Sequence, residues 1–186
     1  MNTIINLRHW QLFLIILMPV FVSDVIPTHL VLLRTFLSFL SFFILFFWMY
    51  SIVHVLSKEV LKDERPNKTY YLTAYFVFFS VGVIVYLLIK YYVLTRGRSI
   101  NSNDGVLFWF ILILCLCSLW SIFYIYYYTA RIISLANIKL NPEEVSITTN
   151  YFLAFWFYII GVWFIQPKIK ELLSKNESDT TINNHN

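Results

Sequence analysis

The sequence predicts an all-α integral membrane bundle with four spans and a fifth, short hydrophobic helix that re-enters the bilayer or lies in its interface; five spans is the alternative. Three observations predict it. No side chain from Val106 to Tyr128 is charged, and that run is long enough to cross a hydrocarbon core. Four further apolar runs share the chain with it, each bounded by polar or charged residues. Hydrophobic residues make up 59% of the 186 residues and charged residues 13%, with a mean hydropathy of +0.69, whereas an average soluble domain is roughly 25% charged.

The apolar runs cover residues 10–23, 30–56, 70–94, 106–128 and 151–165, within a single transmembrane domain over 1–173. The first follows Arg8 and Trp10, which suit an interface, and Pro19 bends it near its end. Val20 and Val22 stand where a signal-peptidase site needs small residues, so this helix is expected to stay uncleaved. Asp24 to His29 makes a tight polar connection with Pro27. The second run carries Arg34 near its start and His54 near its end, where both reach water. Ser57 to Thr69 is the most charged segment and faces water, and Thr95 to Gly105 is a loop by composition.

After the fourth run, Arg131 to Asn141 is amphipathic and either lies on the membrane surface or extends the fourth helix. Asn141-Pro142-Glu143-Glu144 reads as a helix start, with Asn as cap and acids beside the positive end of the dipole. The fifth run, Tyr151 to Ile165, has 15 residues. It reaches about 22 Å at 1.5 Å per residue, short of about 30 Å of hydrocarbon. Pro167 ends it, and residues 174–186 form a polar tail expected to be disordered.

Charge decides between four and five spans. With four, one side holds Arg8, Lys58, Lys62, Arg65, Lys68, Arg131, Lys139, Lys168, Lys170 and Lys175, and the other only Arg34, Lys90, Arg96 and Arg98. With five, the last three lysines change sides and the imbalance vanishes. The positive-inside rule favours four spans in a cytoplasmic (inner) membrane, with both termini cytoplasmic. The formal charge of +4 therefore reads as topology signal and does not imply nucleic acid.

Soluble-enzyme signatures are absent, and no acid sits in the middle of an apolar run. The four histidines lack ligand spacing, and Cys115 and Cys117, two apart, face different sides of a helix. No catalytic group, cofactor or metal is expected. Asp24 would share the outer interface with Arg34 and Lys90, an ion-pair candidate. Arg34, Ser38 and Ser41 on the second helix, and Ser118, Ser121, Tyr124 and Tyr128 on the fourth, repeat at three-and-four spacing and are expected to pack helices together. Two glycines, Gly82 and Gly161, lie inside apolar runs, too few for GxxxG seams.

Two patches carry a resemblance: Arg8-His9-Trp10-Gln11-Leu12-Phe13, and Gly161-Val162-Trp163-Phe164-Ile165-Gln166-Pro167-Lys168-Ile169. Together they resemble a group of small, uncharacterised bacterial polytopic membrane proteins that open on basic-His-Trp-Gln-Leu-Phe and close on Gly-x-Trp-x-Ile-Gln-Pro-basic-Ile. The group carries an acid before the closing aromatic run and a proline before the glycine; Asn150 to Phe152 has no acid, and Ile159 stands at the proline place. The resemblance implies membrane location and marks His9, Trp10, Gln11, Gly161, Trp163, Gln166 and Pro167. Both patches would reach one interface and are expected to touch.

The expected function is that of a non-enzymatic bundle acting through a membrane partner or self-association, with the lipid bilayer as its constant partner. The alternative is a small channel, transporter subunit or membrane-permeabilising effector lined by the serine stripes. A lipid-directed enzyme would need His54 with Glu59.

Overall fold

The computed structural model describes residues 5–27, 29–61, 68–97, 105–143 and 147–183, with the side chains at 31, 32, 94, 96, 158–160 and 179–183 outside that description. Lys62, Arg65, Arg98 and Glu144, used in the charge and capping readings above, lie outside the described residues. Among the described residues every regular element is a helix: residues 5–6 are helical, and α1 His9–Val25, α2 Val31–Glu59, α3 Thr69–Arg96, α4 Val106–Leu140, α5 Thr148–Trp156 and α6 Tyr158–Asn183 follow. Among the described residues, Leu33–Glu59, Thr69–Val93 and Val106–Leu140 are long and apolar enough to cross a membrane, and His9–Val25 is a shorter apolar helix.

Local chemistry explains most of the ends. Arg8 precedes α1 in an extended conformation, and the Gln11 side chain reaches back to accept its amide proton at 2.9 Å, which satisfies an amide that the first turn leaves open. Ile26 is extended before Pro27, as a residue preceding proline prefers. Gly97 closes α3 at φ 67°, its amide donating to the Val93 carbonyl at 2.9 Å. That left-handed position favours glycine.

The contacts fall into two compact units where the sequence reads as one domain: residues 1–66 with 129–186, and residues 67–128. In the first, α1 and α2 run antiparallel. Ser41 donates to the Ile16 carbonyl, Ser38 and Ser23 hydroxyls lie 3.5 Å apart, and the Arg34 guanidinium is 3.9 Å from the Asp24 carboxylate. The core of this unit gathers at the other end of the hairpin: Trp48, Met49, Ile52 and Leu56 of α2, Ile132, Ile133 and Ala136 of α4, and Val162, Ile165, Ile169 and Leu172 of α6 are all buried. In the second unit, α3 and the start of α4 keep most of their apolar side chains exposed.

Four local expectations give way to packing. The fifth apolar run is two helices, broken at Phe157 (φ −95°, ψ 55°), because the Ala154 carbonyl closes over Gly161 across the break. Pro167 does not end a helix; α6 continues through it to Asn183. A proline inside a helix costs about 3 kcal/mol, but Val162, Ile165, Gln166, Ile169 and Leu172 form a buried stripe on both sides of it while Pro167 itself is exposed. Asn141 does not cap a new helix. It closes α4, with its amide on the Asn137 carbonyl at 2.7 Å, and its side chain bonds the Asn137 side chain and Lys175. The tail is helical from 174 to 183: once the buried stripe has nucleated α6, each added turn is cheap, and Ser174 and Ser178 hydroxyls bond carbonyls of the preceding turn.

Candidate functional site

Ile5 and Asn6 end a short helical stretch before α1, and the last carbonyls of a helix have no partner within it. Side chains of α6 supply the partners. Gln166 Nε2 donates to the carbonyls of Ile5, at 2.5 Å, and Leu7, at 3.2 Å; Lys170 Nζ donates to the carbonyl between them, Asn6, at 3.0 Å. The third partner of Gln166 comes from α2: Trp48 Nε1 donates to Gln166 Oε1 at 2.9 Å. Gln166 is 1% exposed and Trp48 fully buried. Three chain segments, two of them more than a hundred residues from Gln166, thus meet on one amide, both of whose donors and whose acceptor are in use.

Rings extend the contact. His9 stacks obliquely on Trp163 at 4.5 Å between centroids, Phe13 meets Trp163 edge-on at 6.0 Å, and Trp48 lies 5.9 Å from Phe155. The two patches expected to touch do touch, through His9 with Trp163 and through the Gln166 node. Trp10 is exposed, and Gln11 serves the α1 start. Next to the node opens a cleft of about 490 Å³ whose charged lining groups are Glu59, Lys170 and Glu177. His54 does not line it and lies against the Tyr50 ring at 6.1 Å. Residues five apart on a helix point about 140° apart, so the His54 and Glu59 pairing needed for lipid chemistry does not form.

The second unit holds its own cluster. Tyr71 is fully buried, stacked on Tyr128 at 4.6 Å, and its hydroxyl lies 3.0 Å from that of Tyr75. Tyr124 stands 6.2 Å from Tyr128. Ser121 donates to the Cys117 carbonyl at 3.0 Å within its own helix, and Ser118 is half-buried. Lys90 sits over the Tyr86 ring at 5.9 Å. Arg34, by contrast, has Asp24 beside it, a pair at the long end of ion-pair distance with both side chains well exposed. Such pairs contribute about 1 kcal/mol or less.

Cys115 and Cys117 are free thiols, and the described residues contain no group of three His, Cys, Asp or Glu able to hold a metal. Sequence reasoning singled out Tyr124 and Tyr128 but missed Trp48, Tyr71 and Tyr75. A signal existed for Trp48: an indole N–H inside an uncharged run needs an acceptor, and Gln166 is the amide side chain at the end of another apolar run. No family model, curated protein or solved structure matches the chain.

Proposed function

We propose that the chain is a non-enzymatic, multi-pass protein of a bacterial inner membrane, crossing four times with both termini in the cytoplasm, and that it acts by associating with itself or with a membrane partner. The observation that carries this reading is the outward face of α3. None of its most apolar eighteen-residue stretch is buried, and Phe76, Val83, Leu87 and Tyr91 are exposed. In water that surface would be an aggregation site; in lipid it is an ordinary helix face, available to other helices.

Two features support cytoplasmic termini. Ile5 and Asn6, the end of α2 at Val55 and Glu59, and Lys170 of α6 line one cleft, so the segment before the first helix and the segment after the fifth run share a level of the first unit. The two halves of the fifth run are also separate, and α5 has only 9 residues, about 13 Å of helix against about 30 Å of hydrocarbon. The engagement of Ser38 and Ser41 between α1 and α2 supports packing as the role of that stripe over a water-lined path. The resemblance of the two touching patches to bacterial polytopic proteins fits the same reading.

A reporter active only in the periplasm, fused after Asn186, is expected to stay silent while a cytoplasmic reporter there is active; periplasmic activity would require an odd number of crossings. Crosslinking in native membranes with an amine-reactive reagent is expected to yield a discrete band larger than the 22.2 kDa chain. A monomer band alone, with cytoplasmic lysines demonstrably modified, removes the association half of the reading.

A further inference from the structure

The face of α3 that carries Tyr70, Thr73, Ala74 and Val77 repeats at three-and-four spacing. It meets a matching face of α4 in a hollow of about 570 Å³. The stacking of Tyr71 on Tyr128 fixes the two helices antiparallel, so the hollow has two chemically different ends. At one lie four hydroxyls, those of Tyr70, Thr73, Ser121 and Tyr124; at the other lie Val77, Ile113, Leu116 and Trp120. Its most buried lining residues are Ala74 and Ser121, and their small side chains leave the space. Tyr70 is the second residue of α3 and follows the charged segment at 57–69, which sets the hydroxyl end at the membrane surface, the depth tyrosines favour. The α4 lining from Ile113 to Tyr124 spans about 16 Å, the reach of a medium-length alkyl chain.

The hydroxyl end also selects charge. Among the described residues no Asp, Glu, Lys, Arg or His lines the hollow, so an ionised head drawn into it would lose water without gaining a counter-ion from them. Thr73 already donates its proton to the Thr69 carbonyl at 2.9 Å, and Ser121 to that of Cys117 at 3.0 Å. Both therefore present lone pairs, which call for a donor. A carboxylate brings acceptors only, which the Tyr70 and Tyr124 hydroxyls can serve but Thr73 and Ser121 cannot; an alcohol brings a proton for Thr73 or Ser121 and lone pairs for the tyrosines.

We propose that this hollow binds a neutral, hydroxyl-headed amphiphile, a long-chain alcohol or a glyceride, with its head among Tyr70, Thr73, Ser121 and Tyr124 and its tail along Val77, Ile113, Leu116 and Trp120. The proposal rests on the membrane-spanning part of the reading above. The two native cysteines supply the test. Cys117 lines the hollow and Cys115 does not, while both are exposed.

The full chain in phosphatidylcholine liposomes is alkylated with N-ethylmaleimide, and each cysteine is followed by mass spectrometry. With 1-dodecanol at about twice its dissociation constant, Cys117 is expected to react about threefold more slowly, with Cys115 unchanged. Dodecanoate at the same membrane fraction is expected to protect neither, and Ala74→Leu, which fills the floor, is expected to abolish the protection. Equal slowing of both cysteines, protection by dodecanoate, or no protection at all overturns the proposal. So does a Cys117 that is unreactive without alcohol and becomes reactive on dilution into excess detergent, since a second copy then occupies the hollow. Release of the chain from the liposomes by alkaline carbonate is a separate outcome, which removes the membrane reading itself.

Discussion

Gln166→Leu lowers the stability of the folded protein by about 2–4 kcal/mol, because it strands three buried or half-buried groups at once. Leucine is close to glutamine in volume, so packing around a residue that is 1% exposed changes little. What is lost is the acceptor for the Trp48 indole, 2.9 Å away, and the donors to Ile5 and Leu7. Water cannot replace them at Trp48, which is fully buried. Trp48→Phe alone costs less, since Gln166 keeps both bonds to the N-terminal segment and loses only one donor to its oxygen. In the double variant the two costs are expected to fall short of additivity by about 0.5–3 kcal/mol, as for any pair in direct contact. Reversible unfolding in mixed micelles measures all three. A second readout is local: with Gln166 gone, the carbonyls of residues 5–7 keep only the Lys170 bond among the described side chains, and tryptic cleavage at Arg8 is expected to quicken while cleavage elsewhere does not. If Gln166→Leu unfolds within about 0.5 kcal/mol of the parent, the range of an ordinary surface change, the node does not hold the three segments together.

That node shows where sequence reading stops. The helices themselves were legible, since uncharged runs bounded by Arg8, Arg34, the 57–69 segment and Arg131 leave the backbone in lipid little choice but helix. The contact between the two aromatic patches was legible as well, because Trp10 and Trp163 both mark an interface and His9 and Trp163 do meet at 4.5 Å. Local rules failed where distant groups supplied the deciding energy. Pro167 reads as a stop, yet the buried stripe from Val162 to Leu172 carries α6 past it. Asn141 reads as a start, yet Lys175, 34 residues on, takes its side-chain oxygen and leaves it closing α4. Trp48 carries no local mark of its partner, which lies 118 residues away. The break at Phe157 is the least legible of all, because it falls in an unbroken apolar run and depends on a backbone contact between two turns of it.

Gly161→Ala tests that backbone contact and is expected to cost about 3 kcal/mol, the upper end of the range for overpacking a buried site. A Cβ at Gly161 would overlap the carbonyl oxygen of Ala154 and lie 2.6 Å from its carbonyl carbon. Both obstructing atoms are backbone, so no rotamer change relieves the overlap; α5 has to move away from α6 or the turn at Phe157 has to open. Gly82→Ala is the matched control. It lies in the interior of α3 with nothing within 4 Å of its Cβ position, and alanine there is expected to stabilise the helix by about 0.5–1 kcal/mol. The same substitution thus changes stability in opposite directions at the two glycines. The damage at Gly161 also has a direction. Trp163 and Gln166 follow on the same helix, so opening the turn shifts them against His9 and Trp48, and the indole fluorescence of Trp163 is expected to change before global unfolding begins. Unfolding in mixed micelles with both glycine variants decides the matter. If Gly161→Ala proves as harmless as Gly82→Ala, α5 and α6 do not approach this closely, and the fifth run is free to straighten into the long helix that a fifth crossing requires.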